Sequence, residues 1–130
     1  MAGRPKSRRE HPLAWAVEPL REDPTYLEKP MFGCLACYWR GRMALVLAAR
    51  QKPFRGILIP CEREHHGALR KEFPGLKVHT VLKKWLYLPE ASEEFEESAG
   101  ALVEAVLRGD ERVGIEPATK VKVPVKISKK

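Results

Sequence analysis

KPMFGCLACYWRGRMALVLAA, residues 29–49, is the stretch whose reading decides the fold. Two apolar arms, 31–39 and 43–49, flank the tetrapeptide Trp39-Arg40-Gly41-Arg42. Gly41 lacks a Cβ and reaches positive φ at little cost, so a tight turn there folds the second arm back on the first. The first arm is rich in sulfur and aromatic side chains. The second is apolar almost throughout, the pattern of a strand covered on both faces. The stretch therefore predicts a β-hairpin at the centre of a sheet.

Working outward, residues 50–54 form a polar loop around Pro53, and 55–59 read as a third strand that Gly56 weakens at its start. Pro60 suits a helix entry, and 61–73 are expected to be helical, with Cys61, His65, Ala68, Leu69 and Phe73 on one face. Pro74-Gly75 ends that helix. Residues 76–82 and 84–88 give one or two more strands, Trp85 and Tyr87 sharing one face and Leu86 and Leu88 the other. Ser92 is the expected N-cap of a long helix, with Glu93 and Glu94 near its positive end. Phe95, Ala99, Leu102, Val103, Val106 and Leu107 form its apolar stripe, Arg108 its last turn and Gly109 its C-terminal cap. Upstream, 12–22 read as a short helix limited by Pro19, with Trp15 and Leu20 on the core. Tyr26 and Leu27 form a further turn before Lys29-Pro30. The expectation is one α+β domain over residues 12–117: an antiparallel β-sheet of four to five strands, a short N-terminal helix, a middle helix and a long C-terminal helix.

A chain of 130 residues is long enough for one domain with one core. With 44% hydrophobic and 32% charged residues it has the composition of an ordered globular protein. No apolar run approaches the roughly 20 residues a membrane helix needs, and the basic N-terminus has no apolar stretch behind it, which argues against a secretory signal. Three cysteines are an odd number, as expected of reduced thiols, and the expected location is the cytoplasm. The absence of Asn and the single Gln fit a heat-adapted source, and a GC-rich genome produces much the same bias. The net charge of +7 sits at the ends: +3 over residues 1–12, +5 over 118–130 and −1 between them.

Cys34 and Cys37 form a C-x-x-C, but on a strand residues three apart point to opposite faces. Cys61 and His65, four apart on the expected helix, share a face at ligand-bearing distance. Together the four make a candidate Cys3His zinc set, although packing thiols and a half-buried histidine are the plainer reading. Cys61 with His66 or His79 is a candidate nucleophile and base, since a thiol near a helix N-terminus has a lowered pKa. No orienting Asn or Asp signature accompanies them, so the chain is expected not to be an enzyme and to need no cofactor. The acidic residues Glu93, Glu94, Glu96, Glu97 and Glu104 read as a solvated helix face or a dock for basic tails. Arg4, Lys6, Arg8 and Arg9 in the tail 1–11, and Lys120, Lys122, Lys126, Lys129 and Lys130 in the tail 118–130, are candidates for contacting nucleic-acid phosphates without reading sequence. Val121, Val123, Val125 and Ile127 alternate with polar residues and form a candidate edge strand for a homodimer or another protein partner, with Pro124 tolerable only at an edge.

Met31-Phe32-Gly33, Tyr38 and Gly41-Arg42-Met43, followed by Trp85-Leu86-Tyr87-Leu88-Pro89-Glu90 and a helix bearing Phe95, Leu102 and Val103, resemble the N-terminal domain of the TfoX (Sxy) family, related to the MmcQ/YjbR-like proteins. The resemblance spans residues 13–109. Cys34 stands where that family often has a second Gly, and the 56–76 segment is longer, more basic and His-bearing. What the resemblance implies is a helix-covered antiparallel sheet, a place in transcriptional or competence control, and no catalytic residues. The expected function is a non-enzymatic regulatory protein that meets nucleic acid through its basic ends, with a protein-interaction or dimerisation module, and then a zinc-binding or Cys/His enzyme, as alternatives.

Overall fold

The computed structural model describes residues 11–117. Six antiparallel strands form one sheet: β1 (Leu27–Met31), β2 (Cys34–Trp39), β3 (Arg42–Ala49), β4 (Arg55–Ile59), β5 (Lys77–Val78) and β6 (Leu86–Pro89), in the order β1-β2-β3-β4-β6-β5. The α+β class and the antiparallel sheet are as the sequence predicts, with six strands where four to five were expected. The additional strand is β1. Residues 27–31 are extended where the sequence suggests a turn, and Pro30, with no N–H to offer, lies on the outermost strand opposite Leu35.

The predicted reversal at Trp39-Arg40-Gly41-Arg42 is present. Arg40 and Gly41 both take left-handed φ, 53° and 83°, as a two-residue hairpin turn demands. Phe32 and Gly33, at 55° and 75°, make the same kind of turn between β1 and β2. The first arm therefore begins at Cys34 rather than Met31. β3 carries an extra residue against β2: Cys37 faces Leu45, and the next pair is Tyr38 with Met43. This bulge turns Ala44 and Leu45 to the same side of the sheet.

Three α-helices, α1 (Glu18–Arg21), α2 (His66–Glu72) and α3 (Phe95–Leu107), accompany the sheet, with 3-10 turns at Ala14–Val17 and Arg63–His65. α3 packs Phe95, Ala99, Leu102, Val103 and Val106 with Leu13, Val17 and Leu20 of the N-terminal segment against Leu45, Leu47, Ile57, Ile59, Leu86 and Leu88. These sheet residues alternate along β4 and β6, which is the predicted division between Leu86/Leu88 and Trp85/Tyr87. The other sheet face holds Cys34, Ala36, Tyr38, Met43, Val46, Ala48, Leu58 and Tyr87, joined by Phe54, Leu82 and Trp85. β3 is buried on both sides, as its sequence required.

Several boundaries differ from expectation. The helix expected over 12–22 is a 3-10 turn running into one turn of α-helix; Leu20 is buried, but Trp15 is 47% exposed and meets Phe95 in a T-shaped contact at 6.0 Å between ring centroids. The helix expected over 61–73 starts after Glu62, because residues 60–62 are still leaving β4, and Ala68 is exposed. Ser92 does not cap α3 directly. Its Oγ accepts the Glu94 N–H at 3.1 Å, closing a turn that precedes the helix, and Glu94 is the N-cap. Leu107 lies outside the buried stripe, 42% exposed. The C-terminus of α3 is closed as predicted: the Gly109 N–H donates to Val106 and the Asp110 N–H to Ala105, the paired bonds of a Schellman cap.

Candidate functional site

The cysteine and histidine candidates do not converge. Cys34 lies in the cluster on the open sheet face and Cys37 in the helix-covered core. Cys61 is buried in that core too, but it sits on the exit from β4 rather than on a helix, so the expected helical pairing with His65 does not form. His65 points instead toward Glu64, with 3.6 Å between Nε2 and the carboxylate. Among the described residues no group of three or more His, Cys, Asp or Glu is placed to hold a metal ion.

The nucleophile reading meets opposite chemistry. His66 Nε2 lies 2.8 Å from the Lys84 carbonyl, which accepts its proton, and the Cys61 thiol turns to that same carbonyl. The imidazole is thus engaged with backbone rather than with sulfur. Burial pushes the Cys61 thiol up to about 11 and the Cys37 thiol up to about 12. A lowered value was expected for Cys61. It is absent because no helix begins there, burial disfavours the thiolate, and the nearby Glu62 charge raises the value further.

His79 is the histidine that the fold uses. It is fully buried. Its Nδ1 accepts the backbone N–H groups of Val81 and Leu82 at 3.1 and 2.8 Å, so Nε2 carries the proton and donates to the Pro53 carbonyl at 2.7 Å. The ring packs on Phe54 and Tyr87, and burial holds its pKa below the ordinary value. This one side chain ties the β3–β4 loop to the β5–β6 segment.

Those two segments carry a charge pattern that becomes visible once they are adjacent. From Arg42 to Cys61 and from Phe73 to Pro89 the chain contains no Asp or Glu, yet it places Arg50, Lys52, Arg55, Lys77, Lys83 and Lys84 there. Residues of the two segments line two hollows. Phe32, Arg50, Gln51, Phe54, Val81 and Leu82 line an open hollow of about 790 Å³. Lys52, Arg55, Lys77, Thr80 and Tyr87 line part of its neighbour, of about 760 Å³, whose one carboxylate, Glu90, pairs with Arg55 at 3.3 Å. Glu94 approaches that second hollow, its carboxylate accepting from Ser92 Oγ at 2.9 Å beside Gly75, whereas Glu93, Glu96, Glu97 and Glu104 belong to α3 and its approach, whose buried side chains lie in the helix-covered core. At the rim of the first hollow Phe32 is 53% exposed and Val81 58%. Arg50 lies across the Phe32–Gly33 turn and donates to the Phe32 carbonyl at 3.1 Å.

Sequence reasoning missed this face. It looked for phosphate contacts in the basic tails and gave Phe32 of Met31-Phe32-Gly33 no role beyond the family resemblance. The signal was legible in the two carboxylate-free tracts. The basic residues at the chain ends, Arg4 to Arg9 and Lys120 to Lys130, and the alternating segment 121–127 lie outside the described residues. The chain approaches that segment from a β-bridge in which Ile115 pairs with Met43 at the start of β3.

What the fold and this face define is an antiparallel α+β domain with a cationic, partly apolar end. Compared with protein-family models, with curated proteins and with solved structures, the chain gives no match. No described helix is long and apolar enough to cross a membrane.

Proposed function

We propose that the protein is a non-enzymatic nucleic-acid-binding protein, a regulator of the kind the TfoX resemblance implies, that meets phosphates with its cationic loop end and its basic termini. The observation that supports this reading is the gathering of Arg50, Lys52, Arg55 and Lys77 around the two hollows, where among the described residues Glu90 is the one carboxylate in the lining and Glu94 stands behind Ser92. Such an arrangement neutralises a phosphate chain, and the released counterions make binding salt-dependent. The buried, raised thiols and the carbonyl-bound histidines speak against a nucleophilic or metal chemistry in the described residues.

The test is the anisotropy of a labelled 20-nucleotide strand and its duplex, titrated with protein at 50 and 200 mM salt. A contact with about six phosphates weakens roughly 300-fold or more over that range. Replacing Lys52 and Lys77 with Glu should weaken binding in protein whose tails are intact. Salt-independent binding, or none at 50 mM, rejects the reading.

The Ile115–Met43 bridge, which pairs the end of the described chain with β3, favours a second reading: a dimerisation module in which the alternating segment 121–127 adds a strand to a neighbour's edge. Self-association that survives salt and is lost when Val123 and Val125 become Asp would support it.

A further inference from the structure

Phe32 is held in a conformation that a bulky side chain rarely adopts. Its φ is 55°, in the left-handed region, and its ring is 53% exposed. Glycine or asparagine would serve the same turn at lower cost. Packing does not explain the ring, since more than half of it faces solvent. Strain combined with exposure of an aromatic group marks positions kept for contact rather than for folding. The surroundings narrow the partner. Phe54, Val81 and Leu82 supply apolar walls, while the charged side chain lining the hollow is Arg50. Lys52 and Lys77 line the neighbouring hollow across a wall that His79 clamps to Pro53. An aromatic face flanked by cations, with no carboxylate lining its hollow, matches a ligand that alternates flat apolar rings with negative charge.

We infer that the hollow beside Phe32 is a stacking site for an unpaired nucleobase, with Arg50, Lys52 and Lys77 holding the flanking phosphates, so that the protein prefers single strands to duplex. This rests on the nucleic-acid reading above and deepens it. Bases inside a duplex have no free face to offer Phe32, whereas a single strand presents one at every nucleotide. Stacking of this kind is tolerant of sequence, so no base-edge donors or acceptors are required.

The experiment uses the full chain and three labelled probes: a 12-nucleotide oligothymidylate, an abasic strand of the same length, and a 12-base-pair duplex. The expected result is binding of the oligothymidylate about tenfold tighter than the abasic strand. That ratio should fall close to one in Phe32→Ala and Phe32→Leu and be retained in Phe32→Tyr, with circular dichroism confirming the fold of each. The leucine variant keeps an apolar side chain without a ring, so it separates stacking from simple burial. Equal affinity of the unsubstituted protein for the base-bearing and abasic strands overturns the stacking site and leaves phosphate contact standing. Failure to bind any probe overturns both. Retention of the ratio in Phe32→Leu also overturns the assignment. So does concentration-dependent self-association that Phe32→Ala abolishes without altering the ratio, the result expected if a protein occupies the patch.

Discussion

His79 Nε2 donates to the Pro53 carbonyl at 2.7 Å, and this bond holds the β3–β4 loop against the segment that leads into β6. The other ring nitrogen is occupied by two backbone N–H groups. Replacing His79 with Ala would take the partner from three partly buried backbone groups and leave a void beside Phe54 and Tyr87. A loss of about 3 kcal/mol of unfolding free energy is expected in urea titration. A loss below about 1 kcal/mol would show that the clamp is dispensable.

The same residue sets a pH dependence. Its folded pKa is lowered from 6.5 by burial, so the unfolded chain binds the proton more readily. The stability it contributes is complete above 6.5 and is lost as pH falls below that value toward the lowered folded one. His11 is lowered by burial too and adds in the same direction. Unfolding free energy measured from pH 7.5 to 5 should therefore decline in the unsubstituted protein and decline less in His79→Gln. Parallel profiles would mean that His79 is not neutral in the folded state.

The clamp also shows where the sequence was legible and where it was not. The hairpin around Gly41 could be read because local turn chemistry and the apolar run of β3 agree. The Schellman cap at Gly109 and the 55–59 strand were legible for the same reason. His79 carries no such local signal, since its role depends on a carbonyl 26 residues away. Cys61 misled because Pro60 looks like a helix entry, while the chain is still descending from β4. Trp15 misled because hydrophobicity alone does not say which side of a 3-10 turn meets the core. The cationic face was hidden because its residues are dispersed over two tracts that become neighbours only through the β4–β6 pairing.

Thiol reactivity gives an independent check on the core. With values near 12 and 11, Cys37 and Cys61 carry almost no thiolate at neutral pH. Alkylation of either in the native protein at pH 7 should be roughly 100-fold slower than in urea. Mass spectrometry of iodoacetamide-treated protein reads this site by site. Rapid native labelling of Cys61 would restore the activated-thiol reading.

Arg112 joins two parts of the helical layer. Its Nε and Nη2 donate to the two oxygens of Asp110 at 3.0 and 2.7 Å, and Nη2 also reaches Glu72 at the end of α2. The Arg112 bonds hold the Asp110 carboxyl below the ordinary carboxylate value. Its contribution is present above the unfolded value of about 3.9 and lost as pH falls through the lowered folded one. Asp110→Ala should cost about 1–2 kcal/mol at pH 7 and much less at pH 2.5. A double-mutant cycle with Arg112→Ala should give a coupling of about 1 kcal/mol. No coupling would mean that the two side chains part in solution.

Two glycines predict opposite outcomes. Gly56 opens β4 at φ 142°, and a Cβ there would collide with the Leu88 carbonyl and lie 2.8 Å from the Glu90 nitrogen. Both obstacles are backbone of β6 and its exit, so relief requires separating the pairs Gly56–Pro89 and Ile57–Leu88. Gly56→Ala should cost more than about 3 kcal/mol. Gly100 lies exposed within α3 with nothing within 4 Å of an added Cβ. Gly100→Ala should therefore add about 0.5–1 kcal/mol through helix propensity and a less flexible unfolded chain. Urea titration of the pair measures both. Because Arg55 and Tyr87 flank the same β4–β6 junction and line one hollow, Gly56→Ala should also weaken oligonucleotide binding, whereas Gly100→Ala should not. A Gly56 variant of unchanged stability would mean that β4 and β6 do not approach this closely, and the face built on their pairing would have to be redrawn.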